Sequence, residues 1–148
     1  MIRVNIKNVS SPEEEQVVIE CVAMTQDFVD IKNYCLSKGN HLTGYDNNTR
    51  RQIALDDILY FEAVGDKVFA YTSGEVFEVK KRLYELEESL APLQFIRCSK
   101  AFLICLRKIE SVRPALNGRY CARMTNGEDI IISRKYAQSV KHTIMEDL

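Results

Sequence analysis

The sequence predicts a mostly β fold, α+β overall, in which small packed sheets carry short helices behind a strand-strand-helix unit at the N-terminus. Three observations lead there. Beyond residue 51 the chain breaks into short runs rich in β-branched and aromatic residues, separated by turn residues. Asn126-Gly127 lies between two apolar-rich runs, a strong hairpin signal, and Asn117-Gly118 marks another reversal. Helical spacing of apolar residues, by contrast, is sustained in only three places.

Taken in order, Ile2, Val4 and Ile6 alternate with polar residues and read as a short strand; after the acidic run 13–15, residues 17–22 read as a second. A helix is expected next, capped by Thr25, with Phe28, Ile31, Tyr34 and Cys35 at helical spacing and Gly39 in the C-terminal glycine position. The polar, turn-rich stretch 40–51 separates this small unit from the rest, dividing the chain into residues 1–44 and 45–148. Strands are then expected at 58–62, 67–72, 75–79, 95–97, 102–106, 119–125 and 128–132. A helix over 80–90 puts Leu83, Leu86 and Leu90 on one face and stops before Pro92. Another begins after Ser133 and carries Tyr136, Ala137, Val140 and Ile144.

At 148 residues, 46% hydrophobic and 28% charged, the chain has the size and balance of one globular domain with a small appendage. Apolar runs end within six or seven positions, too short to span a membrane, and residues 1–10 lack the apolar core of a secretory signal, so a cytoplasmic location is expected. Cys21, Cys35, Cys98, Cys105 and Cys121 are odd in number and far apart, with no Cys-x-x-Cys pair. Free, mostly buried thiols are therefore expected, and neither a metal nor a cofactor. Nothing resembles a phosphate-cradling glycine loop or a nucleophile elbow. Asp56 and Asp57, as neighbours on an extended chain, point to opposite faces and make a poor acid/base pair. His142, late in the last helix, suits the helix dipole and needs no functional explanation. No enzyme and no small-molecule substrate are expected.

The formal net charge of -1, taken whole, argues against a nucleic-acid partner. Counted by segment it does not. Residues 97–141 hold ten basic residues against Glu110, Glu128 and Asp129, a net of +7, whereas residues 1–44 carry -2. The molecule is polarised, with one positive side.

Two clusters concentrate that charge. In Ser133-Arg134-Lys135 two cations open a helix, where anions are preferred by about 0.3 to 1 kcal/mol per exposed charge. Either a phosphate converges on them, or both side chains simply extend into water. In the run 95–108, Arg97, Ser99 and Lys100 lie between two apolar strand segments, so a loop bearing them is held rigidly for recognition or serves as a solubilising basic turn. Beside them Cys98 is either a thiol activated by its basic neighbours or, the reading preferred, a buried inert one.

Asp57-Ile58-Leu59-Tyr60-Phe61-Glu62, the helix from Leu83 to Leu90, Phe95-Ile96-Arg97, Leu103-Ile104, Ile109, Asn126-Gly127 and Ile132-Ser133-Arg134-x-Tyr136 keep an order and spacing that resembles the LytTR-type DNA-binding domain of bacterial transcriptional regulators. The resemblance covers about residues 45–147. It implies double-stranded DNA as partner, bound by loops that enter successive major grooves as a dimer on repeated half-sites. By position it implies Lys67, Lys100 and Arg134 as base contacts, and Arg97, Ser99, Arg107 and Lys135 as phosphate contacts. A protein-interaction or signal-sensing module on the same fold is the alternative. Cys105 stands where many members have Asn, and is read as core. Residues 1–44 are too few for a receiver domain, so the chain looks like the small stand-alone members. Some of these have a membrane-protein regulator, and here the N-terminal unit would serve dimerisation or docking.

Overall fold

Strand β3, Tyr60–Val64, shows how the core is divided. Successive strand residues face opposite ways, so Tyr60 and Phe61, each nearly inaccessible, enter two separate apolar clusters on the two sides of one sheet. The computed structural model describes residues 1–38 and 40–147. Ahead of β3 come helix α1, Gln26–Ser37, and strands β1, His41–Asp46, and β2, Thr49–Ala54. After it come β4, Lys67–Tyr71, and β5, Val76–Val79, then helix α2, Leu83–Ser89. Strands β6, Phe95–Arg97, β7, Phe102–Cys105, β8, Ile109–Pro114, β9, Tyr120–Met124, and β10, Asp129–Ile132, lead to helix α3, Arg134–Asp147.

The strands form an antiparallel seven-stranded sheet, β2-β1-β5-β4-β3-β7-β6, and an antiparallel three-stranded sheet, β10-β9-β8. Under the larger sheet, Leu83, Leu86 and Leu90 meet Phe61, Phe77, Phe95 and Leu103. Over its other face, Tyr60 and Ile104 pack against Ala122, Met124, Ile130 and Ile132 of the smaller sheet and Ala137 and Val140 of α3. The result is three layers, mostly β with short helices. Cys105 is fully buried in the first cluster and Cys98 in the second.

The structure departs from the sequence reading in several places. Residues 2–6 and 17–22 form no strand. The alternation of 2–6 and the apolar run 17–22 suit a sheet, but a strand also needs a neighbour for its N–H and C=O groups, and no described segment pairs with these. The stretch 40–51 is not a linker: most of it is the β1–β2 hairpin, closed by Asn47 and Asn48 at φ 47° and 73°. Both central residues are left-handed, as a type I′ turn requires, and asparagine tolerates that. The division at residue 44 therefore passes inside β1, which pairs with β5 of the main sheet at Tyr45 and Glu78. Strand β8 was not expected. Ser111, Val112 and Arg113 are exposed, and a register shift between Ile109 and Ser111 breaks the alternation.

The second helix starts at Leu83, not residue 80, because the Arg82 N–H donates to the Glu85 carboxylate at 3.0 Å and fixes the helix entry there. Helix α1 begins after Thr25 as expected, though the Thr25 side chain makes no capping bond, and Gly39 lies outside the described residues. Of the apolar face expected on α1, Ile31 is exposed while Phe28 and Cys35 are half-buried. At Gly44 only glycine fits: an added Cβ would stand 2.3 Å from Ile53 Cδ1 and 2.9 Å from Phe77 Cβ.

Candidate nucleic-acid interface

Three connections bring basic residues to one edge. The first is the β3–β4 hairpin, where Gly65, at φ 62°, takes the first position of a two-residue turn and leaves exposed Lys67 as the opening residue of β4. The second is the β6–β7 loop, residues 98–101, closed by the Cys98 N–H donating to the Phe102 carbonyl at 3.1 Å. The third is the β10–α3 junction, which carries Ser133, Arg134 and Lys135.

Two main-chain hydrogen bonds join them. The Ala63 N–H, two residues before the hairpin tip, donates to the Ala101 carbonyl at 2.8 Å. The Ser133 N–H donates to the Cys98 carbonyl, also at 2.8 Å. The middle loop is thus fastened on one side to the hairpin and on the other to the helix start, and the three are brought together.

The seven basic and polar residues expected to contact DNA fall into two groups. Lys67, Lys100, Arg134 and Lys135 are exposed, and none makes an ion pair among the described residues; Lys135 Nζ stands 5.4 Å from the centre of the Tyr136 ring. Arg97, Ser99 and Arg107 face inward. Arg97 donates from Nε to the Ser99 carbonyl at 2.9 Å, from one terminal nitrogen to the Lys100 carbonyl at 2.7 Å, and from the other to Glu87 at 3.1 Å. Ser99 Oγ accepts from the Phe102 N–H at 3.1 Å and the Ala101 N–H at 3.3 Å. Arg107 pairs with Asp56 at 3.2 Å with its side chain 15% exposed, bracing the turn 55–57 against the turn 106–108. The middle loop is therefore drawn tight by its own arginine and serine, and Lys100 projects from it.

A cleft of about 500 Å³ opens at the helix start, lined by Asn117, Arg119, Ser133, Arg134 and Lys135. The Arg134 stem lies against Gly118, where an added Cβ would stand 3.2 Å from Arg134 Cδ. Arg119 was not among the residues singled out from the sequence. The signal was present in Asn117-Gly118, both at positive φ, since that reversal returns Arg119 toward α3. Glu62 lies on β3 beside the first of the three connections. Tyr71 donates to its carboxylate at 2.8 Å and stacks on Tyr60 with ring centres 4.6 Å apart. Burial first, then the bond and charge of Glu62, push the Tyr71 phenol up to about 12, so it remains a donor.

A family model described as LytTr DNA-binding domain matches residues 48–145. The chain belongs to the LytTR family. It is 30% identical over 146 residues to an uncharacterized HTH-type transcriptional regulator of Staphylococcus aureus strain NCTC 8325 / PS 47, covering 97% of this chain and 99% of that one. Its likeness to the corresponding regulator of strain MRSA252 is 29% over the same coverage. Among solved structures, a LytTr DNA-binding domain from Bacillus cereus superposes with a TM-score of 0.66 at 24% identity, over 69% of this chain and 94% of that one. The relatives are named for a helix-turn-helix, yet this LytTR chain separates its three described α-helices from one another by strands. What a LytTR chain of this shape offers at its basic edge is loops and the first turn of α3.

Proposed function

We propose that this LytTR protein regulates transcription by binding double-stranded DNA through the loops that carry Lys67, Lys100 and Arg134, as a homodimer on repeated half-sites. The observation that supports this reading is the fastening of three cation-bearing connections to one another by the Ala63–Ala101 and Ser133–Cys98 bonds. A lysine or arginine held on rigid backbone can donate to guanine O6 and N7 in a major groove, worth about 1 to 3 kcal/mol of discrimination each. Lys135, beside Arg134 on the first turn of α3, takes a phosphate, where the helix N-terminus favours an anion. Ser99, Arg97 and Arg107 shape the scaffold that presents these contacts.

The test is selection of bound sequences from random duplexes, followed by titration of variants against the selected site and random DNA. Arg134→Ala weakens the selected site about 5- to 150-fold and random DNA little, while Lys135→Ala lowers both alike. Equal losses from Arg134→Ala would remove its base-reading role. Binding of both duplexes falls with salt at a log-log slope of about -0.9 per phosphate contact. A chain with no affinity for any duplex in dilute salt overturns the proposal.

A further inference from the structure

The cleft at the start of α3 has a neighbour. A second cleft of about 280 Å³ is walled by Arg119, Tyr120, Arg134, Gln138 and Lys141, and Arg119 and Arg134 line both. Arg119, Arg134, Lys135 and Lys141 are exposed, and none makes an ion pair among the described residues. No Asp or Glu lines either cleft. Four cations gathered with no acid between them repel one another, and an anion relieves that repulsion. We propose that Arg119 and Lys141 hold a backbone phosphate of the bound duplex beside Arg134. The protein then grips DNA through a fourth connection, β8–β9, and the second turn of α3, beyond the loops that carry Lys67, Lys100 and Arg134. This contact rests on the DNA-binding reading above and adds to it.

Three observations favour it. Arg119 leaves a turn held on both sides: its N–H donates to the Leu116 carbonyl at 3.3 Å, and its carbonyl accepts from the Ala115 N–H at 2.9 Å. The reversal between them runs through Asn117 and Gly118 at φ 62° and 75°, so the backbone that carries the guanidinium is fixed before any ligand arrives. Arg134 and Lys141 are seven positions apart on α3, about two helical turns, which puts them on one face about 10 Å apart along its axis. Lys141 Nζ stands 5.9 Å from the centre of the Tyr120 ring, next in sequence to Arg119, so the lysine leans toward the start of β9 and the two cations face one cleft. The chemistry suits phosphate, with a guanidinium fork for two of its oxygens and an ammonium as a point charge beside it. Because these cations are exposed, a small free anion meets them in water and is held weakly, whereas a duplex already docked at Arg134 presents its phosphate at high effective concentration. Such a contact fixes the orientation of the duplex and carries no sequence information.

Titration of Arg119→Gln, Lys141→Gln and the double variant of the full chain against the selected site and random DNA tests this. Each single variant is expected to weaken both duplexes alike, by up to about 8-fold in about 0.1 M salt, and to make the log-log salt slope shallower by about 0.9; the double variant makes it shallower by about 1.8. Arg50→Gln removes a likewise exposed cation from β2, the edge strand farthest from β6 in the seven-stranded sheet, and leaves affinity and slope unchanged. Both tested side chains are exposed and unpaired with any acid among the described residues, so melting temperatures stay within about 2 °C of wild type and the losses are not those of a misfolded chain. Trimming the selected duplex from each end gives a positional readout: once the contacted phosphate is gone, wild type binds no better than the double variant. A double variant with wild-type affinity and slope, a loss confined to the selected site, or a loss matched by Arg50→Gln overturns the proposal. A wild type that binds no duplex overturns the DNA-binding reading and this contact together; a wild type that binds while the double variant matches it overturns this contact alone.

Discussion

Arg97→Met separates the two roles this arginine could have. Methionine keeps most of the apolar stem and removes all three donors, leaving the Ser99 and Lys100 carbonyls without the guanidinium that draws them together. Each carbonyl bond, to a charged and mostly buried donor, contributes about 1 to 1.5 kcal/mol, whereas the pair with Glu87, whose side chain is 43% exposed, adds little. The loss is therefore about 2 to 3 kcal/mol, which for a chain of this length lowers Tm by about 5 to 10 °C. Circular-dichroism melting reads that directly. Loosening of the 98–101 loop also weakens the selected site more than random DNA, because Lys100 is no longer held where a base edge would meet it. A phosphate contact would behave otherwise: Tm unchanged, equal losses on both duplexes, and a salt slope shallower by about 0.9. That pattern would refute the inward role assigned to Arg97.

Three other expectations follow from the geometry. Gly44→Ala forces a methyl group into Ile53 and the Phe77 Cβ, and is expected to cost about 1 to 3 kcal/mol in urea unfolding. Asp129, hydrogen-bonded by Arg123 and Arg113, has its carboxyl lowered from 3.8 to about 2. A lowered carboxyl stabilises the fold above its unfolded value and loses that contribution as pH falls toward the folded one, so the difference in acid unfolding between wild type and Asp129→Asn should shrink as pH drops from about 4 to about 2. Burial pushes the Cys98 thiol up to about 12 despite its basic neighbour Arg97, so under native conditions at neutral pH a thiol reagent is expected to label exposed Cys21 rapidly and leave Cys98 unreacted until the chain unfolds.

The part of the fold decided by neighbours in sequence was legible. Leu83, Leu86 and Leu90 mark a helical face, and the run after Ser133 does become α3. The Asn126-Gly127 signal placed a hairpin correctly, although only Gly127 has positive φ there, at 86°. What depended on distant partners was not legible. Residues 2–6 look like a strand but pair with no strand among the described residues, while β1 and β2 look like a loop because Thr49, Arg50, Arg51 and Gln52 on the sheet edge are exposed and polar. At the candidate site, residue type located the cations but not their direction. Lys100 and Arg97 are three positions apart in a basic cluster, and only the carbonyls of residues 99 and 100 decide that one faces out and the other in.

The bonds that gather the three loops run from amide to carbonyl, at Ala63 to Ala101 and at Ser133 to Cys98. Main-chain groups are the same whatever side chain is attached, so the placement of positions 67, 100 and 134 is insulated from what occupies them. Such a scaffold can exchange its reading residues one at a time without refolding. New target sequences then come within reach of single substitutions at exposed positions, where the cost to stability is usually within about 0.5 kcal/mol. The inward-facing Arg97, Ser99 and Arg107 have no such freedom, and across descendants of this chain they should change far less than the residues they support.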